Sequence, residues 1–247
     1  MARRELASYF VSPAAYVVSI VFCFLATAAF WALLQGYIQQ SLAAQMLGSR
    51  PTITEGVLRP FFAGALFRGL YLVGPLISMR LLSEDRRQGT LDLLLTSPIR
   101  TLQVVLGKYL GALGFFALLL ALTLHIPALL VWRGGADIGV AVVGYTGIFL
   151  VGALFLAAGV FASSLTENQI VSALLAYALV TVVYLIGLVA EASTRFLGGV
   201  LTPFSLGANL EDFFWGVLDS AAVVYFISMS AFFIFLTQRV IDSRRWR

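Results

Sequence analysis

Residues 138–163, IGVAVVGYTGIFLVGALFLAAGVFAS, contain no charged side chain. A bilayer core needs about 20 apolar residues wound as a helix, and this run exceeds that length. Four more intervals are as free of charge: between Glu5 and Arg50, Lys108 and Arg133, Glu167 and Glu191, and Asp219 and Arg239. Spans are therefore expected at Ala14 to Leu34, Leu110 to Val131, Ile138 to Ser163, Ile170 to Ala190 and Ser220 to Leu236. A sixth, Phe61 to Leu82, is apolar but carries Arg68 and ends beside Arg80. Gly69, Gly74 and Pro75 mark a kink within it.

The composition agrees. Of 247 residues, 60% are hydrophobic and only 11% charged, whereas a soluble domain carries roughly 25% charge. Sixteen Lys/Arg and twelve Asp/Glu cannot cover the surface of a soluble domain of this size, so the apolar surplus faces lipid. Cys23 and His125 are each the only residue of their type, which excludes an intrachain disulfide and a Cys- or His-based metal cluster. The net charge of +4 does not call for nucleic acid, because basic residues in a membrane chain report topology.

Arg3 and Arg4 before the first span suggest a signal peptide, but the apolar stretch is too long and too aromatic for cleavage. It reads as a retained helix, and an even number of spans puts both termini on one side. With the termini inside, eleven Lys/Arg lie on the cytoplasmic face and four (Arg50, Arg59, Arg133 and Arg195) outside, which fixes the orientation. Arg68 is the sixteenth, within the membrane.

Between the spans the pattern changes. At the head, Leu6, Tyr9 and Phe10 make a short amphipathic, interfacial helix that Pro13 terminates. Gly36 to Pro60 is polar enough for water, with Tyr37, Ile38, Leu42 and Met46 suited to a short surface helix. The first cytoplasmic loop, Ser83 to Pro98, is charged at one end and leucine-rich at the other. A helix over about 84–96 is expected there, with Leu91, Leu94 and Leu95 on one face. Ser97 and Pro98 would then cap and open the next helix. Two readings of this loop stand side by side: an anchor in lipid headgroups, and a lever seated in the cleft of a cytoplasmic partner. In the second cytoplasmic turn, Thr166 and Gln169 have capping-box spacing, with Glu167 near the positive end of the next helix. The outer segment Glu191 to Asp219, broken by Gly and Pro among aromatics, is expected to form short re-entrant or surface helices capping the outer end.

Together these features resemble the membrane subunit of ABC transporters of the type 2 export class, and most closely the gliding-motility permease family. The matching residues are Glu5-Leu6 with Tyr9-Phe10 and Ser12-Pro13; Glu84 with the run Arg86 to Leu94; Gly107-Lys108; Ser163 to Val171; and Ser243-Arg244-Arg245-Trp246. The resemblance implies that residues 1–247 are one all-α, polytopic, six-helix permease domain of a bacterial cytoplasmic membrane. It implies a coupling helix that docks an ATPase through Glu84, Asp85, Arg86, Arg87, Gly89, Thr90, Leu91, Asp92, Leu94 and Leu95, with Thr166, Glu167, Asn168 and Gln169 in the second turn beside it. The partners implied are two ABC ATPase subunits, a second permease copy or paralogue, and an auxiliary membrane protein with an extracytoplasmic domain. ATP and Mg would be held by the ATPase and no cofactor by this chain, which contains no GxxxxGK[ST] loop.

Arg68 has a plain reading, snorkelling or pairing with Glu191 or Glu211, and a sharper one, contact with an anionic lipid or substrate group. Two other functions are weighed. An intramembrane enzyme needs several polar catalytic groups at one depth, and a channel or secondary transporter needs coupling carboxylates within the spans. Neither set is present.

Overall fold

The computed structural model describes residues 5–7, 9, 13–46, 52–90, 100–192 and 202–245. Within them no strand occurs, and six helices are long and apolar enough to cross a membrane. They are α1 (Pro13–Met46), α2 (Thr54–Arg87), α3 (Thr101–Gly134), α4 (Ile138–Leu165), α5 (Gln169–Ala192) and α7 (Ser220–Arg245). Between the last two lie a single 3-10 turn, Thr202–Phe204, and the short helix α6, Leu206–Phe214. This is the expected all-α polytopic fold with a short helix before the last span.

Several helices outrun their apolar runs. Pro13 opens α1 rather than closing the head, which suits a residue whose missing N–H is idle at a first helical position. The helix then continues past Leu34 to Met46, because Gln35, Gln39, Gln40 and Ala43 are good helix formers and nothing breaks it. The expected loop at Gly36 to Pro60 is corrected accordingly: its first half completes α1, and α2 is under way from Thr54. Similarly, α3 starts at Thr101, behind an extended Arg100 (φ −70°, ψ 137°) whose N–H donates to Gln103 Oε1 at 3.4 Å. Arg100 is thus the capping residue of α3, while Ser97 and Pro98 lie outside the described residues. The helix loosens at Leu124, where Pro127 cannot donate to the preceding turn. It ends on left-handed Gly135, and Asp137 Oδ1 accepts from Gly139 N at 2.7 Å to start α4.

α2 is also irregular ahead of Gly69, Gly74 and Pro75. Its backbone winds wide, as π-helix, over Thr54–Leu58 and Phe61–Leu66, then runs as regular α-helix through Pro75 to Ser78.

At the centre stands α4, packed against α2, α3, α5, α6 and α7. Glycine makes this possible. A Cβ at Gly159 would lie 1.8 Å from Ser78 Oγ of α2, and one at Gly152 2.0 Å from Phe116 Cε1 of α3. At one end α6 folds back into the bundle, with Phe213 buried against Gly147 and Phe214 stacked on Phe62 at 6.2 Å. By contrast α1 is mostly uncovered, presenting Tyr16, Ile20, Phe24 and Trp31 outward.

Candidate functional site

At the end of the bundle where α2 finishes, charge is concentrated and shared between elements. Lys108 lies about 10 Å along α3 from Thr101, at 1.5 Å per residue, and only 6% of it is exposed. Its ammonium meets Asp85 Oδ2 of α2 at 2.6 Å and Glu5 Oε1 of the head at 3.2 Å. A buried ammonium requires such partners. Equally, removing it would strand two carboxylates that are themselves largely covered, at a cost of about 3 kcal/mol or more.

The head is held by more than that pair. Leu6 abuts Gly114, and the ring of Tyr9 lies flat on Phe115 with centroids 4.6 Å apart. Tyr9 also donates to Ile77 O of α2 at 3.4 Å. Burial pushes its phenol above the ordinary value, Glu5 adds to this and Arg80 opposes it, so the hydroxyl stays protonated and remains a donor. Rather than lying free on an interface, the head packs into the angle between α2 and α3.

A second set of bonds ties α2 to the α4–α5 turn. Ser163 Oγ accepts from Leu82 N at 3.0 Å and Ser83 N at 2.9 Å, and donates to Met79 O at 3.2 Å. Beyond it, Arg86 Nη1 donates to Ser164 O and Nη2 to Glu167 Oε1, both at 2.9 Å. Ser163 repairs the loosened turn at Met79–Leu82, where backbone groups would otherwise lack partners.

The sequence-predicted residues divide. Arg86 and Glu167 are brought together and Asp85 is taken up by Lys108, whereas Arg87, Gln88 and Gly89 remain exposed and Glu84 is half-buried. The helix expected over 84–96 is interrupted: it stops at Arg87, and Gly89 turns left-handed at φ +68°. Thr90 Oγ1 closes that turn on Asp85 O at 3.2 Å. Leu91, Asp92, Leu94 and Leu95 lie outside the described residues. In the second turn the capping box does not form. Asn168 caps α5 instead, its Oδ1 accepting from Ile170 N at 2.9 Å, while Thr166 Oγ1 accepts from Asn168 N at 3.1 Å. The shorter Asn side chain reaches the second N–H directly, and Gln169 is the first residue of the helix.

Sequence reasoning missed Lys108, Glu5 and Ser163 as partners. Lys108 entered only the topology tally and a family motif. The signal available was a lysine set one to two turns inside a helix that otherwise carries no charge for its next six turns.

Arg68 sits apart. It is exposed on α2 and makes no hydrogen bond or ion pair with a described side chain, Glu211 included. Side-chain detail at Glu191, the other expected partner, lies outside the described residues. Near the opposite end, Arg59 is spread over the Trp215 ring at 3.6 Å, with Glu55 3.9 Å away. A groove of about 820 Å³ between α3 and α4 is lined by residues such as Leu124, Val131 and Phe149 and by no charged side chain. Neither place assembles groups for bond-making chemistry.

No curated protein matches the chain. A family model described as "ABC-2 family transporter protein" matches residues 3–198, a stretch that includes Glu5, Asp85, Lys108 and Glu167. The chain is a multi-pass membrane protein and belongs to the ABC-2 transporter family.

Proposed function

We propose that this chain is the permease subunit of an ATP-driven exporter or mechanical transducer, driven by separate ABC ATPase subunits at the end where Lys108 lies. The observation that carries the reading is the Lys108 junction. One ammonium joins the head, α2 and α3, while Arg86 and Ser163 join α2 to the α4–α5 turn. A push on the segment following Ser83 is thereby delivered to four parts of the bundle at once. Exposed Arg87, Gln88 and Gly89, with the carboxylate of Glu167, form the rim available to a partner, and rim charge sets register.

In this reading the junction faces the cytoplasm, as the eleven-to-four basic bias requires. Closure of two ATPases around ATP and Mg drives the loop, and a two-state rocking of the spans changes access to a path shared with a second permease copy or paralogue. The gliding-motility resemblance adds an auxiliary protein with an extracytoplasmic domain.

A photo-crosslinking residue at Arg87 or Gln88 tests this. Crosslinks to a co-expressed ABC ATPase, absent when the same residue is placed at Trp132 of the opposite end, are the expected result. Recovery of the chain with no ATPase at any loop position contradicts the proposal.

A further inference from the structure

Arg68 lies nine residues from Arg59 and twelve from Arg80 along α2. Arg68 therefore lies well inside the apolar span Thr54–Arg87, fourteen residues from its start and nineteen from its end, where a guanidinium is costly without a counter-charge. It shares an exposed stripe of α2 with Leu72. On one side α1 approaches, Phe22 meeting Gly69. On the other side α5 approaches with hydroxyls: Tyr71 and Thr181 are bonded at 2.6 Å, and Tyr177 donates to Leu72 O at 2.5 Å. The result is a slot between α1 and α5 with a cation on its floor, aromatic and hydroxyl groups on one wall and hydrocarbon on the other.

Among the described residues no side chain supplies the counter-charge. All twelve acidic residues of the chain lie at span ends or between spans. Glu191, the acid of α5 nearest in sequence to this slot, lies about 10 Å beyond Tyr184, whose ring is 6.1 Å from that of Phe67. An unpaired guanidinium in hydrocarbon is costly, and a planar, five-donor cation is suited to phosphate or carboxylate. We propose that Arg68 is the anion-binding residue of this slot, which takes the phosphate or carboxylate head of an amphiphile whose tail lies along α1.

The inference extends the permease reading by naming a ligand class, but its test needs no ATPase. The full chain in phosphatidylcholine nanodiscs is titrated with a fluorescent alkyl phosphate and with the uncharged alkyl alcohol of equal length. Arg68→Gln is expected to weaken the phosphate probe about tenfold or more, the loss of one charge-assisted bond pair. Arg68→Lys should retain most of the affinity, and the alcohol should bind both variants equally. Replacing part of the phosphatidylcholine with phosphatidylglycerol identifies the source: competition assigns the site to bilayer lipid, and its absence to a distinct amphiphile. Equal phosphate affinity in wild type and Arg68→Gln overturns the proposal. So does a tenfold gain on Glu191→Gln alone, which would place Arg68 in an internal pair. Loop crosslinking of the Arg68→Gln chain, run in parallel, separates failure of this site from failure of ATPase docking.

Discussion

Lys108 and Arg68 are both basic residues within spans, and the fold treats them oppositely. Lys108 is buried, touches two carboxylates and fastens three elements. Arg68 is exposed and reaches no described partner. A buried charge that is paired acts as a structural joint, because its removal strands its partners. An exposed charge within an apolar span that pairs with no described side chain is the ground for proposing a ligand outside the chain. On the proposals above, the contrast separates a residue that would transmit force from one that would meet a ligand.

Substitutions can break or sharpen this contrast. The largest effect is expected from Lys108→Met, which should cost about 3 kcal/mol or more of stability in detergent melts. Adding Asp85→Asn should return about 1 kcal/mol or more, since the stranded charge is then gone. If Lys108→Met is neutral, the joint does not exist. Next comes Gly159→Val, which must displace Ser78 beside the joint and should cost about 1–3 kcal/mol by overpacking. Unlike Lys108→Met, it has no charged partner to rescue it. Glu167→Gln is expected to cost about 0.5 kcal/mol, because that carboxylate is 65% exposed and its bond to Arg86 competes with water. The smallest effect belongs to Arg68→Gln, which should leave the melting curve within about 0.5 kcal/mol of wild type. A large loss there would give Arg68 an internal role and erase the contrast.

The number, class and rough positions of the spans were legible because charge-free runs have one physical explanation in a chain this apolar. Their ends were not, since helix propensity carries α1 through Gln35, Gln39 and Gln40 after hydrophobicity has run out. The short helix before the last span was foreshadowed by Pro203 and Gly216 among aromatics. The site was half legible. Asp85, Arg86 and Glu167 stood out as charges in loops, but their partners Lys108 and Ser164 are distant in sequence and reveal themselves only when α2, α3 and α4 are placed side by side. The break at Gly89 was visible as a glycine within a proposed helix, yet only its left-handed backbone makes it a turn. For Arg68 the depth was readable and the exposure was not.

The central claim is that motion of the segment after Ser83 reaches α3 through Lys108. An environment-sensitive fluorophore on Leu118→Cys, in a Cys23→Ser background and bound to the partner ATPase, reads this directly. With wild-type Lys108, ATP should change the emission. In Lys108→Met the ATPase should still co-purify while the ATP-dependent change is lost. An undiminished change in that variant, with the ATPase bound, would contradict the account.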